Sequence, residues 1–187
     1  MIVGITGRKH CGKSTLARHI VQRYQAVELT FAGPLKLACQ AIFGLTDEQV
    51  HGSLKETIDP YWGRTPRHIM QRLGTDVMRT HSATIVDIPH SDEIWLRCME
   101  RKIREVRAPV AVISDVRFDN EAALVRRLGG VLVRIERGGS EDDDGHASER
   151  GVSTLCDFIL DNCGTETDMF ARFDQLLLDA THPMQCA

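Results

Sequence analysis

Eight consecutive residues near the start of the chain, Gly7-Arg8-Lys9-His10-Cys11-Gly12-Lys13-Ser14, match the spacing G-x-x-x-x-G-K-[ST] at every fixed position. Each residue type has a reason to be there. Glycines let backbone amides approach an anion closely. A lysine neutralises charge on the β- and γ-phosphates during a transfer, and a serine hydroxyl can serve a magnesium ion. The context agrees: Met1 to Thr6 reads as a buried strand, and Ser14 to Val21 reads as a helix. Loop amides and the helix dipole then converge on one anion-binding spot. The chain is expected to bind a nucleoside triphosphate. Cys11 has two readings, a thiol activated by the helix N-terminus or a small residue filling a variable position.

Four further segments carry chemistry. Ser114 to Glu121 follows the most apolar run, at the carboxyl end of an expected parallel strand, where ligands bind. Asp115 is placed to hold magnesium or a substrate hydroxyl, with helix capping as its competing role, and Arg117 is placed to bind a phosphate. In Gly63 to Asp76, Thr65 is an N-cap and Pro66 a first helical residue. Arg64 and Arg67 suit a second phosphate, and Gln71, four residues after Arg67, shares its face. The alternative for this segment is a solvated basic face. Lys36 sits in a first helical turn, where a cation opposes the dipole; it faces an anionic ligand or is an indifferent surface lysine. Finally, Arg134 to Glu149 contains Arg134, Arg137, His146 and Glu149 in a glycine-rich, charged stretch that reads as a lid. Its acidic run Glu141 to Asp144 reads as a solvated flank.

These residues need a scaffold, and the pattern of apolar runs supplies one. Strands are expected over Ile2 to Thr6, Val27 to Phe31, Val110 to Ser114, Val131 to Ile135 and Phe158 to Leu160. Helices are expected over Lys13 to Tyr24, Pro34 to Phe43, Pro66 to His81, Glu93 to Val106, Asn120 to Leu128 and Asp168 to Leu178, with Gly129-Gly130 as a helix stop. The alternation predicts an α/β fold with a mainly parallel sheet. At 187 residues one domain is expected, with an acceptor region at about 33–90 and a lid at about 136–150. The net charge of -3 gives no general attraction to nucleic acid or membrane. No run is long enough to span a bilayer, and no signal peptide is evident. The six cysteines are scattered without a C-x-x-C pair, which points to reduced thiols in the cytoplasm rather than a zinc site. The tail from Thr181 shows no pattern.

The order of motifs resembles one family. Phosphate loop, F-A-G-P-L-K, G-R-T-P-R-H-I-M-Q-R-L-G-T-D, D-E-I-W, I-S-D-V-R-F-D-N-E-A, G-H-A-S-E and D-N-C-G-T follow one another from Ile2 to about Leu177. This is similar to the deoxynucleoside monophosphate kinases of bacteriophages and prophages, within the P-loop kinases. The resemblance implies transfer of the γ-phosphoryl of ATP to a (deoxy)nucleoside 5′-monophosphate, with magnesium as cofactor. It implies a P-loop NTPase three-layer αβα sandwich on a five-stranded sheet, with a helical monophosphate-binding region and a lid. It makes a homodimer reasonable and places the protein in the host cytoplasm if phage-encoded.

By motif, Gly7, His10, Cys11, Gly12, Lys13, Ser14 and Thr15 would serve ATP, and Ser14 and Asp115 would serve magnesium. Lys13, Asp115, Arg117 and Arg137 would be catalytic, with Arg134 the other lid candidate. Lys36, Arg64, Arg67, Gln71, Asp115, Arg117, His146 and Glu149 would hold the monophosphate. Asn162 and Gly164 would lie near adenine, with Cys163 standing where the family often has a second small polar residue. Two competing readings are a P-loop kinase for a dephospho-coenzyme A-like acceptor and an ATP-binding switch that phosphorylates no small molecule.

Overall fold

The computed structural model describes residues 1–137, 152 and 156–181. In chain order the elements are β1 Ile2–Thr6, α1 Lys13–Tyr24, β2 Val27–Leu29, α2 Gly33–Phe43, α3 Asp47–His51 and α4 Pro66–Gln71. There follow α5 Arg79–His81, α6 Ala83–Val86, α7 Ile94–Glu105, β3 Ala111–Ile113, α8 Asp119–Arg127, β4 Val131–Glu136, β5 Phe158–Asp161 and α9 Glu166–Thr181. The chain divides into two compact units, one running over Met1–Thr30 and from Glu105 onward, the other over Phe31–Arg104. Among the described residues no helix is long and apolar enough to cross a membrane.

The first unit holds the whole sheet, parallel throughout, in the order β2-β3-β1-β4-β5. β1 is central, pairing Gly4 with Ile113 of β3 on one side and with Leu132 of β4 on the other. Strand periodicity sends successive side chains to opposite faces. Val3, Ile5, Val133 and Ile135 pack on one face with Leu16, Ala17 and Ile20 of α1 and Met169, Phe173 and Leu177 of α9. On the other face a Cβ on Gly4 would stand 3.1 Å from Leu132 and 3.2 Å from Val125 of α8. Helices therefore cover both sides, and the three layers expected of the sequence are present. α8 ends at Arg127, just before Gly129-Gly130, as expected.

The second unit is helical around a smaller core of Cys39, Leu45, Val50 and Ile69, with Leu35, Phe43, Met70 and Leu73 against it. Two expectations need adjustment. β2 ends at Leu29, not Phe31, because Leu29 accepts the ladder bond from Ser114 and the chain then turns toward α2. The helix expected over Pro66 to His81 is interrupted by a π-helical stretch, Arg72–Met78. Within it the Gly74 carbonyl accepts the buried Trp95 indole N–H at 3.0 Å. Such widened turns occur where a helix takes an outside partner.

α1 and α9 are joined by a polar clasp at the margin of the apolar core. The Asp174 carboxylate accepts from the Tyr24 hydroxyl at 2.8 Å and lies 2.9 Å from His19 Nε2. The His19 ring stacks on Phe170, 4.2 Å between centroids. Burial first, then the Asp174 carboxylate, pushes the Tyr24 phenol up to about 12 from 10.0. The folded state thus holds this proton more tightly than the unfolded chain. Its contribution is whole below pH 10 and fades as pH rises through 12. Asp174→Ala is expected to cost about 1–2 kcal/mol by orphaning the hydroxyl and imidazole, read by denaturant melts at neutral pH. Tyr24→Phe should flatten the alkaline decline relative to wild type, and an unchanged decline would refute this account.

Candidate active site

The loop between β1 and α1 is shaped by two positions that admit no side chain. At Gly7 a Cβ would stand 2.5 Å from the Ile135 carbonyl oxygen and 2.7 Å from Cys11 Sγ. At Gly12, the residue before α1, φ is 107° and a Cβ would meet the Asn162 side-chain nitrogen at 2.7 Å. His10, exposed, also has positive φ (61°). Alternation of left- and right-handed residues turns successive amides inward, the concavity that binds anions. Lys13 folds back over this loop. Its ammonium donates to the Gly7 carbonyl at 2.8 Å and the Arg8 carbonyl at 2.5 Å. A phosphate oxygen would offer the same ammonium a charged acceptor, a stronger bond. Ser14 is exposed at the start of α1 and Thr15 half-buried. The Cys11 side chain is 1% exposed and belongs to the main core. That burial favours its reading as a packing residue over a reactive thiol.

The segment after β3 is tied to the root of this loop. Val116 N–H donates to the Ile5 carbonyl at 3.2 Å, which carries half-buried Asp115 beside the end of β1. Ser114 Oγ donates to the Glu28 carboxylate. Asp115 is not itself the N-cap residue of the next helix, since α8 begins at Asp119 after Phe118. Glu121 holds the amides there instead: its carboxylate accepts from Arg117 N–H at 2.8 Å and Phe118 N–H at 3.2 Å. Glu121 is 1% exposed. The sequence reading passed over it, although a glutamate in the first turn of a helix is a recognised capping signal.

Arg134 lies on β4 opposite Thr6 and donates to the Val152 carbonyl at 2.5 Å. Arg137 follows β4 and is exposed. His146 and Glu149, with the rest of the expected lid from residue 138 to 150, lie outside the described residues.

The turn after β5 reaches the phosphate loop from the other side. The Asn162 side-chain amide donates to the Cys11 carbonyl at 2.9 Å. Gly164 is exposed. Thr165 and Asp168 cap α9 reciprocally, with Thr165 N–H to Asp168 at 2.9 Å and Asp168 N–H to Thr165 at 3.2 Å.

The second unit holds Lys36, Arg64, Arg67 and Gln71. Lys36, half-buried in the first turn of α2, lies 3.3 Å from His51 Nδ1. Burial and, after it, the Lys36 charge hold His51 below the usual imidazole range. The reading of Lys36 as an indifferent surface lysine does not describe this contact. Thr65 is the N-cap of α4, accepting from His68 N–H at 3.2 Å, and Pro66 is its first residue, as expected. Arg64 is exposed, and Gln71 is half-buried one turn beyond Arg67. Arg67 forms an ion pair with Glu56. Ahead of these lies a turn the sequence reading did not single out. Asp59 accepts from Tyr61 N–H at 2.9 Å, Trp62 N–H at 3.1 Å and Gln49 Nε2 at 2.7 Å, and it leaves Tyr61 84% exposed.

Among the described residues no group of three His, Cys, Asp or Glu side chains could hold a metal. Ser14 and Asp115 instead offer one hydroxyl and one carboxylate. Such hard oxygen donors suit magnesium, which keeps several waters and takes further ligands from substrate phosphates. The residues present therefore fit that ion.

Comparison with known proteins bears on the family and the fold. Residues 56–172 match the model of the family described as deoxynucleotide monophosphate kinase. A protein of Acanthamoeba polyphaga mimivirus, whose name proposes it as a deoxynucleotide monophosphate kinase, is 37% identical over 183 residues, covering 92% of this chain and 93% of the relative. Among solved structures, TT1252 from Thermus thermophilus superposes with a TM-score of 0.51 at 17% identity, covering 96% of this chain and 97% of that one. The last likeness speaks to the fold alone. The phosphate loop and the match in both family and relative lead to one conclusion: this chain belongs to the deoxynucleotide monophosphate kinase family.

Proposed function

We propose that the chain transfers the γ-phosphoryl group of ATP to a (deoxy)nucleoside 5′-monophosphate, yielding ADP and the diphosphate, with magnesium as its metal. The observation that carries this is the Lys13 ammonium resting on the Gly7 and Arg8 carbonyls, over a loop with positive φ at Gly7, His10 and Gly12. Family membership favours a monophosphate over a dephospho-coenzyme A-like acceptor and a kinase over a switch. Among the described residues Cys11, Cys39, Cys98, Cys156 and Cys163 form no disulfide, which suits a reducing, cytoplasmic setting.

In this reading the amides of Gly7 to Thr15 hold the ATP phosphates, and Lys13 exchanges loop carbonyls for phosphate oxygens. Ser14 and Asp115 would hold magnesium, which when bound neutralises charge on the β- and γ-phosphates. Arg117, fixed through its backbone by Glu121, extends toward the transferred group. Arg134 is engaged with Val152, so exposed Arg137 is the better lid cation, acting with His146 and Glu149. Lys36, Arg64, Arg67 and Gln71 receive the monophosphate. Glu56 supports this assignment of Arg67, since it already presents an oxyanion to that guanidinium. An acceptor phosphate would take the same place. A phosphate is itself a competent nucleophile at neutral pH, so no strong general base is required. The work is positioning and charge neutralisation.

Lys13→Ala is expected to lower kcat by about two to three orders of magnitude with melting temperature unchanged. Near-normal turnover would refute the assignment. Arg67→Ala should raise the monophosphate KM by roughly ten- to a hundredfold, the cost of a charged hydrogen bond, while ATP affinity, titrated separately, stays the same. A panel of nucleoside monophosphates incubated with ATP and scored for diphosphates tests the reaction itself. ATP turnover without any diphosphate product would favour the switch.

A further inference from the structure

We propose that Asn162 is a positioning residue for the phosphate loop, acting on the triphosphate through the Cys11–Gly12 peptide and not through the nucleotide base. This rests on the reading of Gly7 to Ser14 as the phosphate site. The Asn162 amide donates to the Cys11 carbonyl at 2.9 Å, and no peptide bond among the described residues is cis. In a trans peptide the carbonyl and the following N–H point in opposite directions. Holding the Cys11 carbonyl toward the β5 turn therefore aims the Gly12 N–H away from it, toward the concave side of the loop. Gly12 immediately precedes Lys13, so the same bond sets where the Lys13 side chain leaves the backbone.

The brace is itself rigid. Asn162 N–H continues the ladder by donating to the Glu136 carbonyl at 2.7 Å. Arg172 of α9 donates to the Asp161 carbonyl at 3.0 Å, and the Thr165–Asp168 cap closes the turn three residues on. The fit against Gly12 is close enough to exclude a Cβ, with Asn162 Nδ2 at 2.7 Å and Met169 Sδ at 3.5 Å from where that atom would stand. A free loop would have to order this peptide on binding; here the strand end has ordered it beforehand, which lowers the cost of binding. An asparagine is suited to the task because its NH₂ donates to a carbonyl without bringing a charge beside the incoming phosphates.

The test separates loop from base. Calorimetry measures magnesium tripolyphosphate and magnesium ATP on wild type, Asn162→Ala and Asn162→Leu, with melting temperatures as the control for folding. Asn162→Leu keeps the branched shape but brings neither a charge nor an N–H to donate, so it reports the hydrogen bond if the alanine variant packs poorly. Both variants are expected to bind tripolyphosphate and ATP about tenfold more weakly, the loss of one part-buried hydrogen bond, with kcat reduced and monophosphate KM unchanged. Weakened ATP with unchanged tripolyphosphate would assign Asn162 to the base and overturn the proposal. Wild-type affinity in Asn162→Leu would overturn it as well, by showing that volume and not the hydrogen bond matters. A wild-type chain that fails to bind tripolyphosphate would bring down the phosphate-site reading along with it.

Discussion

The first unit depends on one tight fit, where the turn leaving β1 is pressed between the ends of its neighbours. Gly7 lies against the Ile135 carbonyl at the end of β4, and Gly12 lies against the Asn162 amide after β5. A methyl group at either place would have to displace backbone or a braced side chain. Because β1 is central in the order β2-β3-β1-β4-β5, the turns after β1, β3, β4 and β5 all open at one edge of the sheet. That edge is where ligands bind in open parallel sheets. The loop owes its shape to the sheet as much as to its own glycines.

Charge is distributed to suit. α1 has no acidic residue in its first turn, so the positive end of its dipole is not offset by its own side chains. The neighbouring helix start, α8, is closed by buried Glu121, which occupies amides that would otherwise compete for an anion. Burying that carboxylate is tolerable because backbone N–H groups satisfy it. One helix start is capped by a side chain, and the other has no side-chain cap among the described residues. Lys13 meanwhile stays half-buried on the Gly7 and Arg8 carbonyls.

The second unit follows a related logic on a smaller core. Arg67 is held by Glu56, and Lys36 lies against His51, so two long, flexible cations are ordered by neighbours within their own unit. The Asp59 turn leaves Tyr61 and Trp62 exposed, and Trp62 donates its indole N–H to the Phe43 carbonyl at 2.8 Å.

Much of this was legible in the residue order, because the signals are local. The phosphate loop is read from glycine, lysine and serine spacing. The five strands are read from short apolar runs, and the Thr65-Pro66 helix start from capping chemistry. β2 and the Pro66 to His81 helix were misjudged in detail because their ends are decided by distant partners, Ser114 for one and Trp95 for the other. The same holds for the site. Lys13 and Asp115 announce themselves by motif, whereas the Asn162 contact with Cys11 spans 151 positions of sequence and Glu121 reveals its role only once the turn before α8 is formed. The sequence by itself determined which residues could carry phosphate chemistry, since that is a matter of functional groups at short spacing. Only the tertiary structure decided which carbonyl each amide holds and which strand ends meet, because parallel pairing joins segments that chain order does not.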